Sequence, residues 1–228
     1  MPLLAGVDGC RGGWLAVIGE SPAQAQPRLF ARWQDLPLAD LACVAVDMPI
    51  GLADAGRRAC DLAARARLPK GRKSSVFATP ARPLLDQADY ATANAWSKRR
   101  LGRGLAKQAW NLLPKIGELD RVMTPADQVK VFEAHPELAF ARLSNGELLP
   151  AKRKFEGAAA REALLAAAGF VGLAAWGTLW PRSLVQRDDL LDAAVLFLTA
   201  QRIALGQAER LPAEAERDSR GLDMAIWF

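Results

Sequence analysis

Three apolar runs in this chain break off at an acid. "LLAGVDG" carries Asp8, "ACVAVDMPIGL" carries Asp47, and "KVFEA" carries Glu133, with His135 and Pro136 just beyond. A further acidic group, Asp188, Asp189 and Asp192, opens "RDDLLDAAVLFLTA". Asp189 and Asp192 are three residues apart, so a helix projects both from one face. Carboxylates gathered in one place repel and raise one another's pKa unless a cation neutralises them. An all-oxygen set suits Mg²⁺ or Mn²⁺. Two such ions about 4 Å apart can activate water and stabilise a leaving oxygen in phosphodiester cleavage. Asp8, Asp47, Asp189 and Asp192 are the expected ligands, and Glu133 is the alternative to Asp189 for completing the set. Each acid alone also fits a turn or a helix cap, and Asp188 reads as the N-cap of the last helix. Asp8, Asp47 and Asp192 stand out together because each interrupts or adjoins a run destined for the core.

Other residues could join this chemistry. His135 is the only histidine. It reads either as a proton shuttle beside the acids or as a structural side chain. Arg11 follows Asp8 in the glycine-bearing turn "DGCRGGW", where it could meet a phosphate or simply be solvated. "KGRKSSVFATPAR" offers Arg72, Lys73, Ser75 and Arg82 as phosphate contacts. Ser75 could be a nucleophile with His135 as base, but the Gly-x-Ser-x-Gly turn is absent. "SKRRLGRGLAKQ" places Arg99, Arg100 and Arg103 on a basic helical stretch flanked by Trp96 and Trp110, suited to nucleic acid or to a solvated face. "KRK" at 152–154 is a weaker basic patch. A zinc site of the usual ligand sets is not expected with one histidine and no cysteine pair. No Walker A sequence is present, and the early glycines do not open a helix as a dinucleotide fingerprint requires.

Composition bounds the setting. The 228 residues are 51% hydrophobic, enough for one large domain with a substantial core. Thirty basic against 25 acidic residues give +5, which is compatible with an anionic partner. Cys10, Cys43 and Cys60 lie in or beside apolar runs without paired spacing, so buried free thiols in a reducing compartment are expected. No signal peptide or membrane span is read, and a cytoplasmic protein is expected.

The elements that must position the acids follow from periodicity. Strands are expected over 3–8, 14–19 and 28–33, with Gly12 and Gly13 at the first turn. A short helix is expected over 36–41 and a strand ending at Asp47. A mainly helical, basic insertion spans about 57–128, with Asp86 or Asp89 as a possible N-cap. A strand over 130–134, helices over 158–168 and 189–205, and a final strand in "GLDMAIWF" complete the chain. This order predicts a single α/β domain over 1–228. Its mixed five-stranded sheet is an antiparallel meander with later strands added in parallel, as in ribonuclease-H-like and actin-like ATPase folds. Fold analogy alone does not give function.

Six ordered stretches, "GVDGCRGGW", "VAVDMPIGL", "RRACDLAAR", "SSVFATPAR", "EAHPELAF" and "RDDLLDAAVLFLTA", resemble the successive motifs of the domain of unknown function 429 family. The resemblance spans nearly the whole chain. It implies a ribonuclease-H-like fold and a metal-dependent nuclease activity. The last stretch also resembles the Asp-x-x-Asp-Ala helix of Holliday-junction resolvases. On that resemblance Asp8 and Asp192 are metal-binding acids, and Asp189 is the helix acid before the last. Asp47 takes the place of the acid after the fourth strand, where those resolvases have a glutamate. The expected activity is nucleic-acid cleavage with two Mg²⁺ or Mn²⁺ ions. The rival classes are a phosphate-binding actin-like ATPase or sugar kinase, for which the chain is about half the needed length, and a non-catalytic binding protein that keeps the fold.

Overall fold

A computed structural model describes residues 2–228. β1 (Leu3–Cys10), β2 (Gly13–Gly19) and β3 (Gln26–Phe30) form an antiparallel meander. β4 (Leu41–Val46) adds in parallel to β1, and β5 (Val131–Glu133) in parallel to β4. The five-stranded order is β3-β2-β1-β4-β5, so the two strands carrying Asp8 and preceding Asp47 lie side by side at its centre.

Strand side chains alternate between faces, and the core is divided accordingly. Leu4, Cys10, Leu15, Val17, Cys43 and Ala45 face one layer, built on α7 (Arg187–Ala204) with α4 (Pro136–Leu143) and α5 (Phe155–Ala167) beside it. Ala5, Val7, Trp14, Ala16, Val44 and Val46 face the other, covered by Ile116, Leu119 and Met123 at α3 (Lys107–Val122). Glu118 of α3 reaches across to accept from Trp14 Nε1 at 3.1 Å and from the Trp33 amide at 2.6 Å. The expected insertion therefore supplies one whole side of the core. Its remaining helices, α1 (Ala59–Arg67) and α2 (Tyr90–Leu101), lie further out, and Asp89 rather than Asp86 caps α2 by accepting from the Thr92 amide at 2.8 Å.

Two glycines fix the geometry near the acids. A Cβ on Gly6 would lie 2.0 Å from Phe197 N and 2.2 Å from Ala193 O, so only glycine lets α7 rest directly on β1. Gly13, at φ 127°, turns the first hairpin where a Cβ would meet Phe30 O at 2.1 Å.

Several expectations need correction. No helix forms over 36–41; the third strand ends early, at Phe30, and a 3₁₀ turn at Trp33–Asp35 precedes the loop into β4. α6 (Leu173–Trp176) was not foreseen. The final strand, β7 (Asp223–Trp227), pairs with an unforeseen polar strand, β6 (Arg210–Arg217), in a separate hairpin. That hairpin packs Met224, Ile226 and Phe228 on Cys60, Ala64 and Leu68 of α1, and Trp227 bridges in parallel to Ala134. The three cysteines are free and buried, and no helix among the described residues is long and apolar enough to cross a membrane.

Candidate metal centre

Asp8 shares its strand face with Gly6, the residue on which α7 rests. Asp192 immediately precedes Ala193, whose carbonyl makes that contact. Asp47 extends the face of β4 that carries Cys43 and Ala45. All three carboxylates thus converge above the same layer, at the carboxyl ends of two adjacent parallel strands. They line a half-open cavity of about 660 Å³ together with Asp188, Asp189, His135, Glu137 and Lys152.

The electrostatics are strained. Burial pushes the Asp8 carboxyl well above its ordinary range, and Asp47, Asp192 and Asp189 push it further. Burial also raises Asp47, against the pull of His135 and Lys152. Asp192 is only 2% exposed, and burial carries its pKa up to about 7 despite Lys152. Lys152 Nζ donates to Asp192 Oδ2 and stands 3.7 Å from Asp188 Oδ2. The other oxygen, Asp192 Oδ1, is buried with no hydrogen-bond partner. A buried, unpartnered carboxylate oxygen beside two more raised carboxyls offers the oxygen-only donors that a hard divalent cation takes. The residue types fit one, although these aspartates do not bring their ligand atoms as close together as Cys60, Asp61 and Glu133 do, so a bound ion would have to draw them in.

The role of Lys152 is not visible in the sequence, where "KRK" reads as a weaker basic patch. Its loop has no periodicity, but it is firmly held. Arg72 donates to Leu149 O, Arg161 Nη1 to Pro150 O at 2.9 Å, and a Cβ on Gly157 would meet Ala151 O at 2.1 Å. Arg161, fully buried, is itself fixed by Glu137 at 2.7 Å.

Glu133, with Arg58 and Asp61, lines the same cavity but does not face the three aspartates. It pairs with Val46 in the sheet register, one residue out of phase with Asp47, and so faces the opposite layer. There its Oε1 lies 2.6 Å from Arg58 Nη2 and its Oε2 accepts from Arg58 Nη1 and from the Ile50 amide, both at 2.7 Å. Asp61 completes the arrangement, 2.5 Å from Arg58 Nη2. Ligand atoms of Cys60, Asp61 and Glu133 lie within 4.8 Å of one another, a spacing a metal could use. Arg58 already fills that role. Burial opposes its charge, but Glu133 and Asp61 more than offset this and hold its pKa up. Burial also raises the Cys60 thiol, which keeps it protonated and a poor ligand.

The other expected residues divide. His135 caps α4, its Nδ1 accepting from the Glu137 amide at 3.2 Å, and lines the cavity. Arg72 and Ser75 line it as well, but Ser75 Oγ donates to Arg72 O at 2.7 Å rather than to His135. Lys73 is exposed outside the lining. Arg11 is exposed at the turn after β1; burial raises the Asp189 carboxyl, and Arg11 is a minor charge opposing that rise. Arg82 is not a free phosphate contact: it is bound to Asp120 at 2.6 Å and to Asp218, tying the β6–β7 hairpin to α3. Arg99 and Arg100 are exposed on α2, and Arg103 donates to Gly56 O at 3.0 Å; none of the three lines the cavity. The helix cap also shifts by two residues. Gln186 is the N-cap of α7, and Asp189, not Asp188, closes the capping box by accepting from the Gln186 amide at 2.8 Å.

The family model described as Protein of unknown function (DUF429) matches residues 6–217, and the chain belongs to that family. No curated protein and no solved structure gives a significant match.

Proposed function

We propose that this DUF429 member is a divalent-metal-dependent phosphodiesterase acting on nucleic acid. The observation that carries the reading is the Asp192 carboxylate, buried beside Asp8 and Asp47 with one oxygen unpartnered. The strand order, an antiparallel meander with two parallel strands added beside β1, is also that of ribonuclease-H-like folds, and it supports that finer assignment.

In this reading Asp8, Asp47 and Asp192 would hold two Mg²⁺ or Mn²⁺ ions, with Asp189 on the same cavity wall. Such ions lower the pKa of a water nucleophile and stabilise the leaving oxygen of the phosphodiester. The protein's own side chains do the rest. Arg72, Lys152 and Arg153 on the cavity wall orient the phosphate. His135 is fixed by the amide that binds its Nδ1, so the neutral ring carries its proton at Nε2. From there it can exchange a proton with the departing group. Arg99, Arg100 and Arg103 extend the contact along the nucleic-acid backbone.

A panel of single- and double-stranded DNA and RNA oligonucleotides, incubated with Mn²⁺ and with chelator, tests the reading. Cleavage that needs Mn²⁺ and vanishes in Asp8→Asn and Asp192→Asn is the expected result. Mn²⁺-independent cleavage, or no cleavage alongside ATP hydrolysis in the same preparation, would overturn it.

A further inference from the structure

Lys152 occupies a position that a metal centre would not leave to it. Its ammonium sits against Asp192 Oδ2 and within 3.7 Å of Asp188 Oδ2. It also acts electrostatically on Asp8 and Asp47. A divalent ion held by Asp192 would stand beside this ammonium, and like charges that close repel. Yet the side chain has somewhere to go: it is 37% exposed and lines the cavity. Its backbone, in contrast, is pinned by Arg72, Arg161 and the close approach of Gly157. The loop therefore stays while the side chain can swing, and the cavity wall it would swing along carries Arg72 and Arg153.

We propose that Lys152 is the resident counter-ion of the carboxylate cluster, displaced from Asp192 by the entering metal and thereby released to bind the substrate phosphate. This rests on the metal-centred reading of the site. The ammonium keeps the empty cluster from carrying several uncompensated buried charges. Held on Asp192, it is unavailable to a phosphate. Once displaced, it adds a cation to the wall that phosphate meets, so the protein binds phosphate well only after the metal is in place. Metal and phosphate are thus coupled through one side chain, and such coupling is reciprocal.

Calorimetric titration of wild type and Lys152→Met with Mn²⁺ alone, then with dimethyl phosphate on the Mn²⁺-loaded proteins, separates the possibilities. Removing the competitor should tighten Mn²⁺ about tenfold, within the usual range for coupled sites, while weakening dimethyl phosphate several-fold. These opposite signs are the signature, since a merely structural lysine would weaken both. Lys152→Gln, which keeps an N–H for Asp192, serves if the methionine variant does not fold, and should shift both affinities the same way. Unchanged or weaker Mn²⁺ binding in the variants, with wild type binding normally, would overturn the displacement while leaving the metal centre standing. No Mn²⁺ binding in any of the proteins would overturn both.

Discussion

The two sheet faces each carry a buried acidic cluster, and they are resolved in opposite ways. On the α3 side, Glu133 and Asp61 close around Arg58, whose guanidinium meets both carboxylates. On the α7 side, Asp8, Asp47 and Asp192 outnumber the one nearby ammonium, which touches only Asp192 of the three, and Asp192 Oδ1 is left with nothing. The residue types are nearly the same. What differs is the count of charges and the shape of the cation. A planar guanidinium satisfies two carboxylates at once, whereas a single flexible lysine leaves a deficit that a divalent ion can fill. Acids alone therefore do not mark a functional site; acids without enough fixed cations do.

The comparison breaks first at Arg58. Arg58→Met should strand two buried carboxylates and cost about 3–5 kcal/mol of stability, read by urea denaturation. Saturating Mn²⁺ should stabilise the variant only as much as it stabilises wild type, since the α7-side site is intact in both. A larger gain in the variant would mean that the α3-side cluster takes the metal.

The next effect lies at the open cluster. Asp8→Asn should weaken Mn²⁺ by at least the roughly 10- to 100-fold that losing even an outer partner of a metal costs. It should leave the metal-free protein as stable as before or more so, because it removes repulsion. A Mn²⁺ isotherm like that of wild type would remove Asp8 from the ligand set.

Proton linkage acts on both clusters. Asp8, Asp192 and Glu133 have folded pKa values raised above their unfolded ones by burial, Asp192 and Glu133 each to about 7, Glu133 despite Arg58. The folded protein then binds more protons than the unfolded chain between about pH 4 and pH 7. The metal-free protein should accordingly lose stability as pH rises through that window, by up to about 1.4 kcal/mol per pH unit for each such group. Asp192→Asn should flatten the slope, and saturating Mn²⁺ should reverse it, because metal binds the deprotonated carboxylates. Melting temperatures across this range, with and without Mn²⁺, are the check; a metal-free curve that rises with pH would contradict it.

The smallest effect concerns the helix entry. Asp189→Ala should cost about 1 kcal/mol through the lost capping box, and Asp188→Ala much less. Chemical denaturation of the two variants decides between them, and the reverse order would restore Asp188 as the cap.

Much of this was legible in the sequence because it is local. The β1 run, its glycine turn and the apolar α7 behind Asp192 each announce themselves by period. Asp8 and Asp47 could be paired because each breaks an apolar run, and those runs form adjacent strands, although β1 continues two residues past Asp8. Glu133 looked equivalent and was not: β5 is a three-residue strand, too short for alternation to reveal which face its acid takes. Arg58 and Arg82 could not be told from free basic residues, since their partners are up to 136 positions away. β6 reads as loop because its side chains are polar and largely exposed, and only the long-range pairing with β7 makes it a strand. Lys152 hides for the same reason, its site set by Arg72, Arg161 and Gly157 rather than by its neighbours.

Anomalous scattering from crystals soaked in Mn²⁺ tests the central claim most directly. The account predicts two peaks about 4 Å apart among Asp8, Asp47 and Asp192, with the Lys152 ammonium moved off Asp192. A peak among Cys60, Asp61 and Glu133, or an undisturbed Lys152–Asp192 contact with no peak beside it, would contradict it.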